Sequence, residues 1–315
     1  MRVGIVGVGG MGSTHAAAWN TTPARIAGFM ATTEEHAQPL TDQYGARVYP
    51  DLAAMLPNVD VVDICTPTHL HHEVALACIA RGIHVLVEKP IASTVAEGRE
   101  IVSAARAAGV TLMIGHVERF NPAVAAVKKA ISGEDILSIA ITRVGPFPPR
   151  MSNVGVVIDL AVHDIDLIRW FTESDIVDVQ PQLSSAVAER EDIALLQFRT
   201  ASGVLAHINT NWLTPFKARS VTVATRGKYV SGDLLTRQVT ECFGFQPDGS
   251  YSMRHLPVGH DEPLRAELMA FVDAVRSGRA PAVTGEEGVA SLEIATQCLA
   301  PRSDADRQKT LRAVS

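Results

Sequence analysis

The chain has 315 residues, 47% of them hydrophobic and 20% charged, with a net charge of −6. That length suits two domains, and the apolar fraction excludes a disordered chain. The negative balance and the lack of basic runs argue against a nucleic-acid partner. The cysteines, Cys65, Cys78, Cys242 and Cys298, lie far apart and read as buried thiols of a reducing compartment. With no apolar run of membrane length and no signal peptide, a cytoplasmic protein without membrane contact is expected.

The first element is a strand, Val3–Val8, that runs into glycines at positions 7, 9 and 12. Gly7 permits a tight turn, Gly9 lets backbone approach a pyrophosphate, and Gly12 lets the next helix pack closely on the strand. The helix that starts near Gly10 would offer free N–H groups and its positive end to an anion. Further strands are predicted at Arg25–Met30, Val59–Cys65, Ile83–Val87 and Thr111–Ile114. Helices at Met11–Asn20, Glu34–Tyr44, Leu70–Ala80 and Thr94–Ala108 fall between them. Alternation of this kind predicts an α/β domain over residues 1–117, with a doubly wound parallel sheet of Rossmann type.

Beyond that point the strand candidates alternate apolar and polar residues: Leu137–Val144, Asp192–Arg199, Gly203–Asn211, Ser220–Thr225 and Lys228–Ser231. Short glycine turns join several of them, so residues 118–300 are expected to be an α+β domain with a mostly antiparallel sheet. Its helices are expected at Asn121–Ile131, Leu160–Phe171, Pro263–Ser277 and Glu286–Leu299. Residues 301–315 read as a polar tail.

Four segments end where a doubly wound sheet opens its crevice: the glycine loop, Cys65–His69, Glu88-Lys89-Pro90 and Gly115–Arg119. Lys89, directly after a buried strand, would feel desolvation and a neighbouring nicotinamide cation, both of which lower an ammonium pKa. Read as structure alone, it is a surface lysine paired with Glu88. Asp159 and His163 are four apart, which places both on one helical face, where the carboxylate would orient the imidazole as a general base. Alternatively Asp159 caps a helix after a strand-like run, and His163 is a satisfied histidine between layers. His69, His72 and Glu73 share a face but lack further ligands, so no metal is expected. Arg119, Arg143, Arg150 and Arg219 are candidates for bidentate clamping of phosphate or carboxylate.

Taken together, Gly7-Val-Gly-Gly-Met-Gly12, Glu88-Lys89-Pro90 and Asp159-x-x-x-His163 resemble the glucose–fructose oxidoreductase / inositol dehydrogenase / MocA family from Arg2 to about Ala300. The resemblance implies a Rossmann domain followed by a domain with an open sheet, and it places Lys89, Asp159 and His163 around the reacting carbon of a sugar. Gly115–Pro122, Arg143–Arg150 and Val156–Asp166 resemble, within that family, the enzymes that oxidise C3 of UDP-N-acetylglucosamine and feed a partner aminotransferase. The implied cofactor is NAD. It would touch Gly7, Val8, Gly9, Gly10, Met11 and Gly12, then Ala31, Thr32 and Thr33 at the end of the second strand. Thr66, Pro67, His69 and His72 would follow, then Glu88, Lys89 and His116. The UDP-sugar would meet Lys89, His116, Glu118, Arg119, Arg150, Asn153, Asp159, His163 and Arg219.

The family commonly places an acidic residue where Ala31 stands, so the chain leaves NADP open. Ala161 stands where glycine is common in the family. A homodimer or homotetramer is expected, because an open sheet with an apolar face must be covered. Two other functions stay open: oxidation of a free sugar or inositol, and a non-catalytic NAD(P)-binding sensor.

Overall fold

The strand runs around Val3–Val6, Val61–Ile64 and Val85–Val87 contain no exposed residue, because helices cover both faces of the sheet they build. The computed structural model describes residues 1–148 and 154–300. Strands β1 (Arg2–Val6), β2 (Arg25–Met30), β3 (Arg47–Tyr49), β4 (Val61–Ile64), β5 (His84–Glu88) and β6 (Leu112–Gly115) form the first sheet. Their order is β3-β2-β1-β4-β5-β6, with every pair parallel. The chain reverses direction across the sheet between β1 and β4, which opens a crevice at their carboxyl ends. The crossover helices are α1 (Gly10–Trp19), α2 (Glu34–Tyr44), α3 (Leu52–Met55), α4 (His71–Ile79) and α5 (Val95–Ala108). Local chemistry bounds α5 at both ends. A capping box of Thr94 and Glu97 starts it, and Gly109 at φ +67° stops it.

The second sheet carries eight strands: β7 (Ile136–Pro146), β8 (Ile176–Ser184), β9 (Ile193–Thr200), β10 (Leu205–Asn211), β11 (Leu213–Thr225), β12 (Lys228–Asp233), β13 (Gln238–Phe243) and β14 (Ser252–Leu256). Their order is β14-β13-β12-β11-β7-β10-β9-β8, antiparallel except where β10 runs parallel to β7. Strands β8, β13 and β14 lie outside the segments expected from the sequence. They lie at or next to the two ends of the sheet, where β8 and β14 show little of the buried–exposed alternation that marks a half-covered strand. On β9, Ala194, Leu196 and Phe198 face inward while Leu195, Gln197 and Arg199 face out. Helices α6 (Pro122–Ala130), α7 (Val162–Thr172) and α9 (Gly285–Leu299) pack on the inner face.

Two features depart from the sequence expectation. The apolar run at Val156–Ile158 is helical rather than strand-like, and Val157–Ala161 forms a π-helical turn that leads directly into α7. Asp159 therefore sits inside a helical turn and caps nothing. In addition, α8 (Pro263–Ser277) crosses back to the first sheet, where Leu268, Phe271 and Val272 join the core of β1, β4 and β5. Truncating Phe271 to Ala is expected to lower the free energy of unfolding by about 3–5 kcal/mol in urea titrations. A loss below about 1 kcal/mol would mean that α8 contributes little to that core.

Candidate active site

The glycine loop after β1 works by what a side chain would collide with. Gly7 has φ +93°, and a Cβ there would meet the Cys65 carbonyl at 2.7 Å. At Gly12 a Cβ would stand 1.9 Å from the Gly7 oxygen, so only glycine lets α1 approach β1. Gly9 and Gly10 are the reverse: a Cβ on either meets nothing within 4 Å, leaving open space above the start of α1. Gly9 caps that helix without a side-chain bond, and its first turn has no acidic residue. This unshielded helix start fits a dinucleotide pyrophosphate. Val8 is half-buried and Met11 exposed beside it. At the end of β2, Thr32 and Thr33 are exposed next to half-buried Ala31, and the Thr33 hydroxyl bonds to no backbone group of α2.

Below this cradle lies a buried polar network that joins three of the four crevice segments. The His15 ring on α1 reaches Asp63 of β4 through Nδ1 at 2.8 Å and Glu88 of β5 through Nε2 at 2.9 Å. Trp19 Nε1 donates to the same Asp63 oxygen at 2.7 Å. Burial opposes charge on His15, but the Asp63 carboxylate outweighs it and holds the imidazole well above its ordinary value. Burial pushes the Cys65 thiol up. His15, Asp63 and Cys65 place donor atoms within 4.8 Å of one another, yet both His15 nitrogens already serve carboxylates. Glu88 also accepts the Lys89 backbone N–H at 3.1 Å, so the network fixes the start of the lysine loop. From α8, Glu267 enters the same region fully buried, with neither carboxyl oxygen bonded. Burial first, then Glu88, raises its pKa well above the ordinary value of 4.5.

Lys89 projects from this base, just before a cis Pro90. Its ammonium donates to the Asp159 carbonyl at 2.7 Å and to Asp159 Oδ1 at 3.1 Å. Asp159 thus engages the lysine, and its carboxylate forms no ion pair or hydrogen bond with the His163 ring, contrary to the orienting role expected from their spacing. The π turn changes the helical phase at Asp159, so the usual i,i+4 neighbourhood does not hold there. Nor is His163 stabilised as an imidazolium. Burial, then Lys89, Arg143, His116 and Arg219, hold it well below the ordinary value and therefore neutral.

The arginines divide sharply. Arg119 is buried, grips Asp166 with two bonds of 2.7 Å and Glu287 with one of 2.6 Å, and lies over the Trp170 ring. Arg143 is buried between Asp164 and Glu118. Arg219 is half-buried, bonded once to Glu118 Oε1 at 3.0 Å. Burial and Arg143 lower its pKa. Arg119 and Glu118 are consequently spent on internal pairs and do not stand open to a phosphate or a sugar, whereas the Arg219 side chain keeps about a third of its surface exposed (35%). Arg150 and Asn153 lie outside the described residues.

A model of an oxidoreductase family with an NAD-binding Rossmann fold matches residues 1–116, and a GFO/IDH/MocA C-terminal domain model matches residues 137–230. Inositol 2-dehydrogenase of Rubrobacter xylanophilus is 30% identical, with 98% of this chain and 93% of that one aligned. The chain belongs to the GFO/IDH/MocA family. UDP-N-acetylglucosamine 3-dehydrogenase of Acidithiobacillus ferrooxidans is 28% identical over 305 residues, covering 94% of this chain and 96% of the relative. Its solved structure superposes with a TM-score of 0.89. A levoglucosan dehydrogenase complex with NADH shares the fold at a TM-score of 0.84 and 22% identity, covering 94% of this chain and 97% of that one.

Within this GFO/IDH/MocA site several predicted residues fall together: the glycine loop, Thr66, Glu88, Lys89, His116, Asp159 and His163. Pro67 and His69 are exposed on the 3₁₀ turn after β4. His72 does not line the crevice, because it faces Glu100 of α5 at 2.8 Å. Its neighbour His71 does the structural work instead, bridging the Thr66 and Pro90 carbonyls at 2.9 Å each. His15, Asp63 and Glu267 were not anticipated. A histidine three residues after Gly12, on the buried face of α1, was the available signal.

Two outcomes are expected from this geometry. Gly9→Val keeps the unfolding midpoint while dinucleotide titrations lose binding, whereas Gly12→Ala lowers stability by about 1–3 kcal/mol through overpacking. Equal stability losses in both would contradict the open cradle. Glu267 binds its proton more tightly when folded, so its contribution is present at low pH and fades as pH rises from 4.5 through its folded value. Glu267→Gln should therefore gain stability over the parent more at pH 8 than at pH 5. A difference independent of pH would show that Glu267 titrates normally.

Proposed function

We propose that the protein oxidises the C3 hydroxyl of UDP-N-acetylglucosamine to the 3-keto sugar. One observation carries this reading. A half-buried ammonium (Lys89), anchored on Asp159, lies near a neutral imidazole (His163) beyond the carboxyl end of β5, in a sheet that matches an NAD-binding Rossmann family.

His163, held neutral, accepts the proton of the substrate hydroxyl. Lys89 donates a hydrogen bond to that oxygen as it gains negative charge, and Asp159 keeps the ammonium from turning away. Held by the glycine loop at Gly7, Gly9 and Gly12, a nicotinamide dinucleotide would supply the acceptor for the carbon-bound hydrogen and its electron pair. Glu34 and Glu35 in the first turn of α2 disfavour a second phosphate on the ribose, which supports NAD over NADP. Arg219 supplies the positive charge for the sugar diphosphate, and the remote nucleotide fixes the ring. The end-to-end likeness to a UDP-N-acetylglucosamine 3-dehydrogenase supports the nucleotide sugar. The inositol 2-dehydrogenase relative favours a free polyol as the second reading. Leu195 and Leu205, exposed on the outer face of the second sheet, support a homodimer or homotetramer, and a 3-keto product suits a downstream aminotransferase.

A panel of UDP-sugars, free sugars and inositols, followed by absorbance of reduced cofactor, tests substrate class. Turnover of inositol but not of UDP-N-acetylglucosamine would replace the first reading by the second. Lys89→Ala and His163→Ala are each expected to lower kcat by about 100-fold or more. Near-parental rates in both would refute the assignment.

A further inference from the structure

We propose that His116 is a second histidine of the active site, a positioning residue that acts through His163 by receiving the proton His163 takes from the substrate. This inference rests on the reading of His163 as the base. His116 follows β6 directly and is only 1% exposed, yet neither ring nitrogen has a hydrogen-bond partner. A fully buried imidazole with both nitrogens unpaired is costly, so such a group in a cleft calls for a function. The His163 Nδ1 is likewise buried and unpaired. The two rings meet edge to face, with centroids 6.0 Å apart and planes at 88°. A single hydrogen-bonded water or a ring turn spans that separation. On its far side His116 Nδ1 stands 4.0 Å from Asp166 Oδ2, and Arg119 clamps that carboxylate in place.

The chemistry explains why an exit is needed. When the hydroxyl O–H bond breaks, its proton forms an N–H bond on His163, among the cationic groups Lys89, Arg143 and Arg219. Retaining the charge there is unfavourable. His163 instead sheds a proton from its other nitrogen to His116, which turns an N–H toward Asp166. Burial, Arg119 and Lys89 also hold His116 below its ordinary value, but Asp166, 4.0 Å away and shared with Arg119, opposes them, so an imidazolium is less disfavoured there than on His163. When bound, an oxidised nicotinamide dinucleotide would supply the acceptor for the carbon-bound hydrogen and its electron pair, which balances the oxidation. The charged and titratable groups facing His116 are Asp166, Arg119, Lys89, Glu88 and His163.

The test uses His116→Phe, which keeps the packing, and His116→Gln, which keeps a hydrogen bond but carries no mobile proton. In single-turnover oxidation of UDP-N-acetylglucosamine at pH 7, both should be at least tenfold slower than the parent. Sugar KM should stay within twofold, and the deficit should shrink at pH 9, where solvent takes the proton. A second measurement needs no substrate: the His163 titration, followed by NMR of its Cε1–H, should shift upward in His116→Phe. A rate within twofold of the parent, restoration of the rate by Gln, or an unmoved His163 titration would each overturn the relay. His163→Ala separates the two ideas. If it is inactive while the His116 variants are not, only the relay fails; if it turns over normally, the assignment of the base fails first.

Discussion

One ammonium group links the Rossmann sheet to the irregular turn that leads into α7. Lys89 leaves the end of β5 in the Rossmann sheet and is caught by the carbonyl and carboxylate of Asp159 on the π turn of the second domain. Every other part of the site is arranged relative to that bridge. On the Rossmann side, His15 and Asp63 fix Glu88, and Glu88 fixes the backbone of Lys89. On the other side, the irregular turn hands Asp159 to the lysine and leaves His163 free of it. A purely α-helical segment would keep the carboxylate and the imidazole as i,i+4 neighbours.

Electrostatics in the second domain follow from what surrounds the imidazoles. Arg143, Arg219 and Lys89 oppose charge on His163, while the carboxylates nearby are already claimed by Arg119 and Arg143. Such a crowd holds this imidazole well below its ordinary value and therefore neutral. The same pairs hold the fold together. Arg119 joins the turn after β6 to α7 through Asp166 and to α9 through Glu287, whose second oxygen completes the capping box with Thr284. Breaking one partner would strand a buried charge, which costs far more than the pair contributes.

The network under the glycine loop has a related logic. Asp63, Glu88 and Glu267 would be mutually repulsive if all were ionised in a water-free space. A charged His15 between the first two and a proton on the third resolve the conflict. The helix that brings Glu267 also completes the apolar core, so this later part of the chain is bound into the first sheet by packing.

Much of this was legible in one dimension. Hydrophobic periodicity and glycine spacing located β1, β2, β4, β5 and β6, the helices α1, α2, α4 and α5, the glycine turn after β1 and the change to an antiparallel sheet, because these depend on contacts between near neighbours. Lys89, Asp159 and His163 stood out for the same reason, as unusual residues at the ends of regular elements. Partner choice was not legible. Arg119, Arg143 and Arg219 look alike in the chain, and only the packing of α7, β7 and β11 decided that two are buried pillars and one is only half-buried. The pairing of Asp159 with Lys89 across 70 positions, the exile of His72 to the surface and the burial of His116 against His163 were likewise settled by tertiary structure. Hydrogen bonds and charge depend on distance in space, and spacing along a chain records that distance only within a single turn or strand.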